Sequence, residues 1–397
     1  MYSKCPTGFV IPTNKYDTRI EWIGNTGCAM SCRLPIWSES QYDQFDFVYT
    51  YLSIVSLPFV FILLFTWIFN KEKRKQYLVI CLAFCGGMSA LLSMLAYRIS
   101  WFKRNCSSNA VPLDYSDGFS NCALQGLSYV YFGLATSVCW MNQSIDLYLK
   151  IVLGMRSTDK YKMIYIASIF LFPLIPLIYV IATKSFGYAR GDPVCWITSK
   201  SSPNLDIYVW YAPIAVMTFV GLSCMCVVLY QIVLSVLNTS TNKSIGSTDL
   251  ISVVRTPVLF VLTFLSFFLS LVAFRADLYV STNSTSSRVS NWTECVFSNY
   301  DGISDESYLS VCGAYVKTKL SVATAMWAFI CVGGQAAMVA LVYLPNASVF
   351  KIWENWWLLA TRGRQSAYKS PRKIYVLASP STKTISPKDI KEGSQSY

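Results

Sequence analysis

The sequence predicts an all-α membrane protein: a seven-transmembrane helical bundle with disulfide-braced extracellular loops and a juxtamembrane amphipathic helix. Two observations predict this fold. Of the 397 residues, 54% are hydrophobic and only 14% are charged, whereas soluble domains carry about 25% charged residues. The apolar residues also occur in long uncharged blocks, and a helix of about 20 such residues crosses the hydrocarbon core of a bilayer. Inside lipid each block must be helical, because no water satisfies exposed backbone groups.

Seven blocks are long enough to span a bilayer. They are residues 47–69, 77–97, 122–145, 163–183, 207–237, 256–274 and 320–344. An odd number of spans places the two ends of the chain on opposite sides of the membrane. The sequence therefore predicts a seven-helix transmembrane domain over 47–344, preceded by the short cysteine-containing linker 1–46.

Charge predicts which side each segment faces. With the N-terminus outside, the external segments carry equal numbers of basic and acidic residues, whereas the internal segments carry a large basic excess. Short loops rich in Lys and Arg stay in the cytoplasm, and "NKEKRK" at 70–75 is the clearest of them. We therefore expect a multi-pass plasma-membrane protein with an extracellular N-terminus and a cytoplasmic C-terminus.

The cysteines give an independent indication of the same orientation. Of the 14, six lie within the spans and none in a predicted internal segment. The eight in external segments are Cys5, Cys28, Cys32, Cys106, Cys122, Cys195, Cys295 and Cys312. An even set on the oxidising side predicts four disulfides, although spacing does not choose the pairing. Sequons at Asn283 and Asn291 predict glycosylation on that side.

The sequence predicts two different segments after the last span, one helical and one disordered. In residues 345–364, apolar residues recur at helical spacing together with tryptophans, which predicts an interfacial amphipathic helix lying against membrane lipids. Residues 365–397 are predicted to be a disordered basic cytoplasmic tail. Its Ser-Pro pairs at Ser370, Ser379 and Ser386 are candidate phosphorylation sites, and an unmodified solvated tail is the alternative.

Several kinds of chemistry have no residues to carry them. The chain contains no histidine, which excludes His-ligated zinc hydrolases, and 320–344 contains no lysine for a retinal Schiff base. Asp146 is the single carboxylate at membrane depth, and its spacing to Lys150 predicts a helical ion pair. We expect no enzyme activity, no catalytic residues, no metal, no cofactor and no nucleic-acid partner. A receptor, a transporter or channel, and a structural scaffold all stay open at this point.

One stretch of the sequence resembles the third span of a known receptor family. "SYVYFGLATSVCW" at 128–140, followed by "GMRS" at 154–157, resembles the Frizzled/Smoothened receptors. The matching positions are Tyr131, Phe132, Gly133, Ala135, Ser137, Trp140, Gly154 and Met155. Arg156 stands where the family has lysine, and Cys139 replaces the first of two tryptophans. The resemblance covers about residues 20–360.

The resemblance implies roles for particular residues. It implies the disulfides Cys5–Cys28, Cys32–Cys106, Cys122–Cys195 and Cys295–Cys312. It also implies that Arg255, in "LISVVRTPVLFVL", contacts the end of the seventh span, with Tyr343 in place of the family's tryptophan. Of the family's Lys-Thr-x-x-x-Trp signature, Lys351 and Trp356 are present.

The resemblance also implies a function. We expect a receptor that transmits an extracellular or lipid signal, with a sterol or lipid as ligand, to a heterotrimeric G protein or another cytosolic partner. The large extracellular Cys-rich domain that binds Wnt lipids has no counterpart in residues 1–46, which argues against a conventional Wnt receptor coupled to Dishevelled. Candidate partner contacts are Lys71, Arg74, Arg156, Arg255, Lys351, Trp356 and Tyr343. Charge-based topology and lipid-headgroup binding are the alternative for the basic residues.

Overall fold

A computed structural model confirms the all-helical, seven-span fold class. It describes residues 5–6, 8–32, 39–97, 105–118, 120–188, 195–198, 204–240, 247–299, 312, 322–345 and 347–362. Within these ranges, seven helical segments are long and apolar enough to cross a membrane. The chain divides into two compact units, residues 1–346 and 347–397, and each is described by itself.

The first unit contains the seven spans. Its helices are α1 (Glu39–Phe69), α2 (Tyr77–Tyr97), α3 (Asn121–Ile151), α4 (Lys162–Leu171), α5 (Leu174–Ala182), α6 (Ala212–Ser240), α7 (Ser247–Asn299) and α8 (Val322–Tyr343). The fourth span consists of α4 and α5 together with the turn before α4. A π-helical turn at Ile207–Tyr211 leads into α6.

Helix α3 is the most buried of the seven spans. It packs against α2 and α6, whereas α1 packs against α2 and α8, and α7 packs against α6 and α8. Polar side chains such as Ser137, Asn142 and Ser144 are buried along α3. Protein surrounds α3 on most sides, so these side chains meet hydrogen-bond partners instead of lipid; Asn142 Nδ2 donates to Ser168 Oγ at 2.8 Å.

The structure differs most from the sequence-based boundaries at three places. The predicted span 163–183 is two helices, because Pro173 lacks a backbone donor and interrupts the helix between α4 and α5. Helix α1 begins at Glu39, before the predicted start at 47. Helix α7 continues from the predicted span 256–274 to Asn299, so the first part of the segment between the sixth and seventh predicted spans is helical.

Two small antiparallel hairpins and four disulfides mark one end of the bundle, which we call the disulfide end. Strand β1 (Phe9–Val10) pairs with β2 (Ala29–Met30), and β3 (Phe186–Gly187) pairs with β4 (Trp196–Ile197). The disulfides join Cys5 to Cys28, Cys32 to Cys106, Cys122 to Cys195 and Cys295 to Cys312, with Cα–Cα distances of 5.2–6.1 Å. These are the pairs that the family resemblance implies. The opposite end, which carries the loops 70–76 and 152–161, we call the basic end.

The second unit contains helix α9 (Ala347–Arg362), within the range predicted for the amphipathic helix. Lys351 is exposed on α9, and the Trp353 and Trp356 rings lie 6.5 Å apart between centroids. The predicted tail 365–397, with Ser370, Ser379 and Ser386, lies outside the described residues.

Candidate functional site

A cavity of about 110 Å³ lies inside the bundle near the disulfide end. We call it the disulfide-end cavity. Most of its lining is aromatic or aliphatic: Tyr49, Ser89, Tyr129, Gly133, Trp196, Asp206, Trp210, Tyr211, Phe267, Leu271, Phe274, Ala328, Phe329, Val332 and Gln335. An apolar cavity with a few polar groups is the usual form of a small-molecule site.

The β3–β4 hairpin contributes to this cavity through Trp196. Its position is fixed by the Cys122–Cys195 disulfide, which links the start of α3 to the residue before β4. Trp196 meets Trp210 edge-to-face, with the ring centroids 5.1 Å apart. Because the disulfide fixes the hairpin to α3, Trp196 is held over the cavity.

Trp210 lies deep against α3. A methyl group at Gly133 would overlap its indole ring, so the absence of a side chain at Gly133 is what lets the ring pack against α3. Trp210 is buried, and its Nε1 has no hydrogen-bond partner among the described residues. An unsatisfied buried donor costs about 1–3 kcal/mol. A ligand with a hydrogen-bond acceptor would relieve this cost.

An ion pair closes one side of the disulfide-end cavity. Arg275 on α7 binds Asp206 before α6, with Nε–Oδ2 2.7 Å and Nη2–Oδ1 3.0 Å. Both side chains are largely buried, and the Arg275 guanidinium lies 5.9 Å from the Tyr211 ring centroid. We did not predict this pair from the sequence. Its only sequence signal is that the two opposite charges adjoin the boundaries of two predicted spans.

A cluster of four charged residues joins the N-terminal segment to the loop after α2. Arg19 binds Asp17 at 2.8 Å, Asp114 at 3.1 Å and Asp117 at 2.7 Å. The hydrogen bond from Arg19 lowers the pKa of Asp17, and the hydrogen bonds to Asp17 and Asp117 raise the pKa of Arg19. We call this cluster the Arg19 clasp. It holds residues 8–32 over the disulfide end.

A second cavity, of about 290 Å³, lies at the basic end. We call it the basic-end cavity. Its lining mixes polar and apolar residues from four helices and the loop before α2: Lys75, Gln76, Tyr77, Leu78, Val79, Gln143, Asp146, Leu147, Lys150, Pro257, Phe260 and Tyr343. The two cavities thus differ in chemistry, one almost entirely apolar and the other rich in hydrogen-bonding groups.

Hydrogen bonds join α3 to its neighbours around the basic-end cavity. Gln143 Nε2 donates to the Tyr343 hydroxyl of α8. Asp146 binds Lys150 at 2.6 Å, as their spacing predicted, and also accepts a hydrogen bond from the Thr158 hydroxyl. No pattern in the sequence predicted the Thr158 contact. Asp146 is thus held by the loop after α3 as well as by its own helix.

Known proteins resemble this chain over most of the helical domain. The family model for seven-transmembrane receptors of the Secretin family matches residues 41–304. Frizzled and smoothened-like protein A of Dictyostelium discoideum is 23% identical over 275 residues, 68% of this chain and 44% of the relative. Frizzled-8 of Xenopus laevis is 25% identical over 206 residues, 49% of this chain and 35% of the relative. Frizzled/smoothened-like sans CRD protein C of Dictyostelium discoideum is 21% identical over 192 residues, 46% and 36% of the two chains.

The chain belongs to the seven-transmembrane receptor family. Within it, the relatives confirm the Frizzled/Smoothened-like kind that the third span predicted. The receptor spans less than half the length of these relatives. Among its described residues, no group of three His, Cys, Asp or Glu side chains is placed to hold a metal ion.

The structure places the predicted contact residues of the receptor at several sites. Lys71, Arg74, Arg156 and Arg255 are exposed at the basic end. Arg74 Nε donates to the Ile68 carbonyl at 2.8 Å, at the end of α1. Lys351 and Trp356 lie on α9, in the second unit.

Tyr343 is the predicted contact residue with the most partners. Besides Gln143, its ring meets Trp67 of α1 at 6.1 Å and Phe260 of α7 at 6.3 Å between centroids. Its described partners therefore lie on α1, α3 and α7 and do not include Arg255, which leaves the Arg255–Tyr343 contact a prediction.

The loop after α1 also reaches this group of residues. Trp67 Nε1 donates to Gln76 Oε1 at 3.1 Å, and Lys73 Nζ lies 5.3 Å from the Trp67 ring centroid. Burial lowers the pKa of Lys73. Lys73 is thus part of the packing around Trp67, whereas its neighbours Lys71 and Arg74 are exposed.

The two predicted glycosylation residues lie on the part of α7 that extends beyond the predicted span. Asn291 is exposed there. Asn283 belongs to the same helix, and its side chain lies outside the described residues.

Proposed function

We propose that the receptor binds an apolar ligand in the disulfide-end cavity and passes the signal to a cytosolic protein at the basic end. The apolar cavity under Trp196 is the observation that carries this proposal. Its 15 lining residues include eight aromatic side chains and a single carboxylate. We further propose that the protein acts by binding and carries no catalytic activity.

The charges around the cavity support an uncharged ligand. Among the lining residues of the disulfide-end cavity, Asp206 carries a carboxylate, and its negative charge is neutralised by the ion pair with Arg275. A charged ligand would therefore lose hydration without gaining an opposite charge. A sterol or another neutral lipid with one polar group fits this chemistry best.

The basic end supports binding of a cytosolic partner. The exposed residues Lys71, Arg74, Arg156 and Arg255 present positive charge there, which suits the acidic surface of a heterotrimeric G protein or another signalling protein. Lys351 and Trp356 of α9 are further candidate contacts, and Tyr343 is the candidate inside the bundle. Anionic headgroups of membrane lipids are the competing partners for the basic residues.

We propose a plasma-membrane location with the disulfide end outside the cell. The disulfides and the exposed sequon residue Asn291 support this orientation, because both belong to the oxidising side. Asn283 and Asn291 would then be glycosylated, and Ser370, Ser379 and Ser386 would be open to cytoplasmic kinases. An epitope tag after Tyr397 should be detected only in permeabilised cells; its detection on intact cells contradicts the proposal.

The function is tested with purified receptor in vesicles that contain a G protein and a panel of sterols and neutral lipids. We expect at least one ligand to accelerate nucleotide exchange. Ala328→Phe fills the disulfide-end cavity and should weaken the affinity for the activating ligand by about tenfold or more, which corresponds to about 1.4 kcal/mol and appears as a higher ligand concentration for half-maximal exchange. Val216→Phe, at an exposed position of α6, is the matched control and should leave the response unchanged.

Two results would contradict this function. One is an unchanged response in Ala328→Phe, which would place the ligand outside the cavity. The other is ligand-independent flux of solutes through the purified protein in sealed vesicles. That flux would identify a transporter or channel instead.

A further inference from the structure

Trp140 lies on α3 between the disulfide-end cavity and the basic-end cavity. Its ring stacks on Phe264 of α7, with centroids 3.9 Å apart and planes 11° apart, and it faces Phe260 at 5.8 Å. The indole is only 1% exposed. Aromatic pairs of this kind contribute about 0.5–1.5 kcal/mol beyond their burial. Trp140 therefore holds α7 against α3 within the spans.

The same ring also packs against α6. A methyl group at Gly221 would overlap three carbons of the Trp140 ring, so the indole occupies the space that a side chain would fill. Three helices thus meet at one aromatic side chain. Because the core is close-packed, even one added methyl group at Gly221 must displace the ring or the helix.

The Trp140 N–H has no hydrogen-bond partner among the described residues, although it is fully buried. Leaving such a donor unpaired costs about 1–3 kcal/mol. The stacked position is therefore favoured by packing and opposed by hydrogen bonding. Two opposing contributions of similar size make the ring a suitable element for a two-state change.

A small cavity of about 20 Å³ lies beside Trp140 and shares lining residues with both larger cavities. It shares Phe267 and Gln335 with the disulfide-end cavity. It shares Phe260 with the basic-end cavity. A ligand that moves Gln335 or Phe267 would therefore act on groups that line the same space as the indole.

We propose that Trp140 couples the two cavities of the receptor. In the resting state its stack on Phe264, seated over Gly221, holds α7 against α3. A ligand in the disulfide-end cavity displaces Phe267 and Gln335, which releases the stack and lets the basic-end half of α7 move away from α3. Pro257 lies in α7 beside the basic-end cavity, where a missing backbone hydrogen bond makes the helix easiest to bend.

This coupling rests on the proposed function only for the ligand; the effect on the helices is measured without one. Spin labels are placed on noncanonical residues at positions 156 and 255, so that the native cysteines stay unlabelled. Both positions are exposed at the basic end, one after α3 and the other on α7. Double electron–electron resonance in lipid nanodiscs then reports the distance between the loop after α3 and helix α7. Signalling is measured in parallel on unlabelled protein.

Phe264→Leu removes the ring on which Trp140 stacks, and Gly221→Ala pushes on the same indole from the α6 side. We expect each to shift the 156–255 distance towards a longer population without ligand and to raise basal signalling. Gly334→Ala is the matched control, because a methyl group there meets its nearest atom, Met338 Cε, at 3.9 Å. It should behave like the unmodified receptor. If Gly221→Ala does not fold, the 156–255 distance in Phe264→Leu alone tests the proposal.

The outcomes separate the two proposals. Distances in both variants equal to those of Gly334→Ala would overturn the coupling role of Trp140, even where lipids activate the receptor. Longer distances together with no response to any lipid or G protein would support the coupling and overturn the proposed function.

Discussion

The two ends of the bundle are held together by different kinds of interaction. At the disulfide end, four covalent links, the Arg19 clasp and the buried Asp206–Arg275 pair fix the loops to the helices. At the basic end, hydrogen bonds and ring contacts link the helices, and several of them meet at Tyr343. Hydrogen bonds and ring contacts can be exchanged on the timescale of signalling, whereas disulfides cannot.

We expect this difference to decide which end moves. A rigid disulfide end would keep the disulfide-end cavity, the proposed ligand site, in shape and so lower the entropy lost on binding. A basic end held by weaker contacts can open when a partner supplies replacements. Helix α7 belongs to both regions: Arg275 anchors it near the disulfide end of the bundle, and Phe260 contacts Tyr343 near the basic end.

The largest effect is expected when the disulfide end loses its central covalent link. Cys122→Ser breaks the bond to Cys195 and frees the β3–β4 hairpin from α3. Loss of a native disulfide typically costs about 2–5 kcal/mol. We expect a large fall in melting temperature and in surface expression. Cys226→Ala, which changes an exposed thiol outside the disulfides, is the control and should melt like the unmodified receptor.

The second effect concerns the buried ion pair. Arg275→Met leaves Asp206 as an uncompensated buried charge, which should cost about 3 kcal/mol. The double variant Asp206→Asn with Arg275→Met removes that charge and should recover part of the loss. Thermal denaturation of all three proteins measures the difference. A double variant no more stable than Arg275→Met would show that the charge is not the cause.

At the basic end the expected effect is smaller. Tyr343→Phe removes the hydroxyl that accepts from Gln143, and we expect a loss of about 1 kcal/mol. Binding in the disulfide-end cavity should stay unchanged, since the contact lies at the other end. Tyr230→Phe, on an exposed ring of α6, controls for the loss of a hydroxyl. Equal melting temperatures of Tyr343→Phe and Tyr230→Phe would show that the Gln143–Tyr343 hydrogen bond does not contribute to stability.

The smallest effect is the pH dependence of the Arg19 clasp. Because Arg19 lowers the pKa of Asp17, the contribution of Asp17 to stability is complete above its ordinary pKa of about 3.9. It is lost as the pH falls through the lowered value. The melting temperature should therefore fall less steeply between neutral and acidic pH in Arg19→Gln than in the unmodified receptor. Lys15→Gln, at an exposed position, should keep the original slope; parallel slopes in both variants would argue against the clasp.

The sequence by itself determined the fold class and the family. Long uncharged blocks leave no alternative to helices in lipid, so the seven spans could be predicted without any tertiary information. The stretch from Tyr131 to Trp140 was specific enough to indicate the Frizzled/Smoothened-like kind. The spacing of Asp146 and Lys150 predicted their ion pair because both lie on one helix, where sequence distance fixes spatial distance.

The tertiary structure decided which residues from different helices meet. Asp206 and Arg275 are separated by a whole pair of spans, and so no periodicity could connect them. The same holds for Gln143 with Tyr343 and for Trp140 with Phe264 and Gly221. Their contacts depend on how the helices are rotated and crossed, which packing sets. The extension of α7 to Asn299 was also missed, because polar residues beyond the membrane carry no hydropathy signal, and the packing of Trp292 on Phe9 became visible only in the fold.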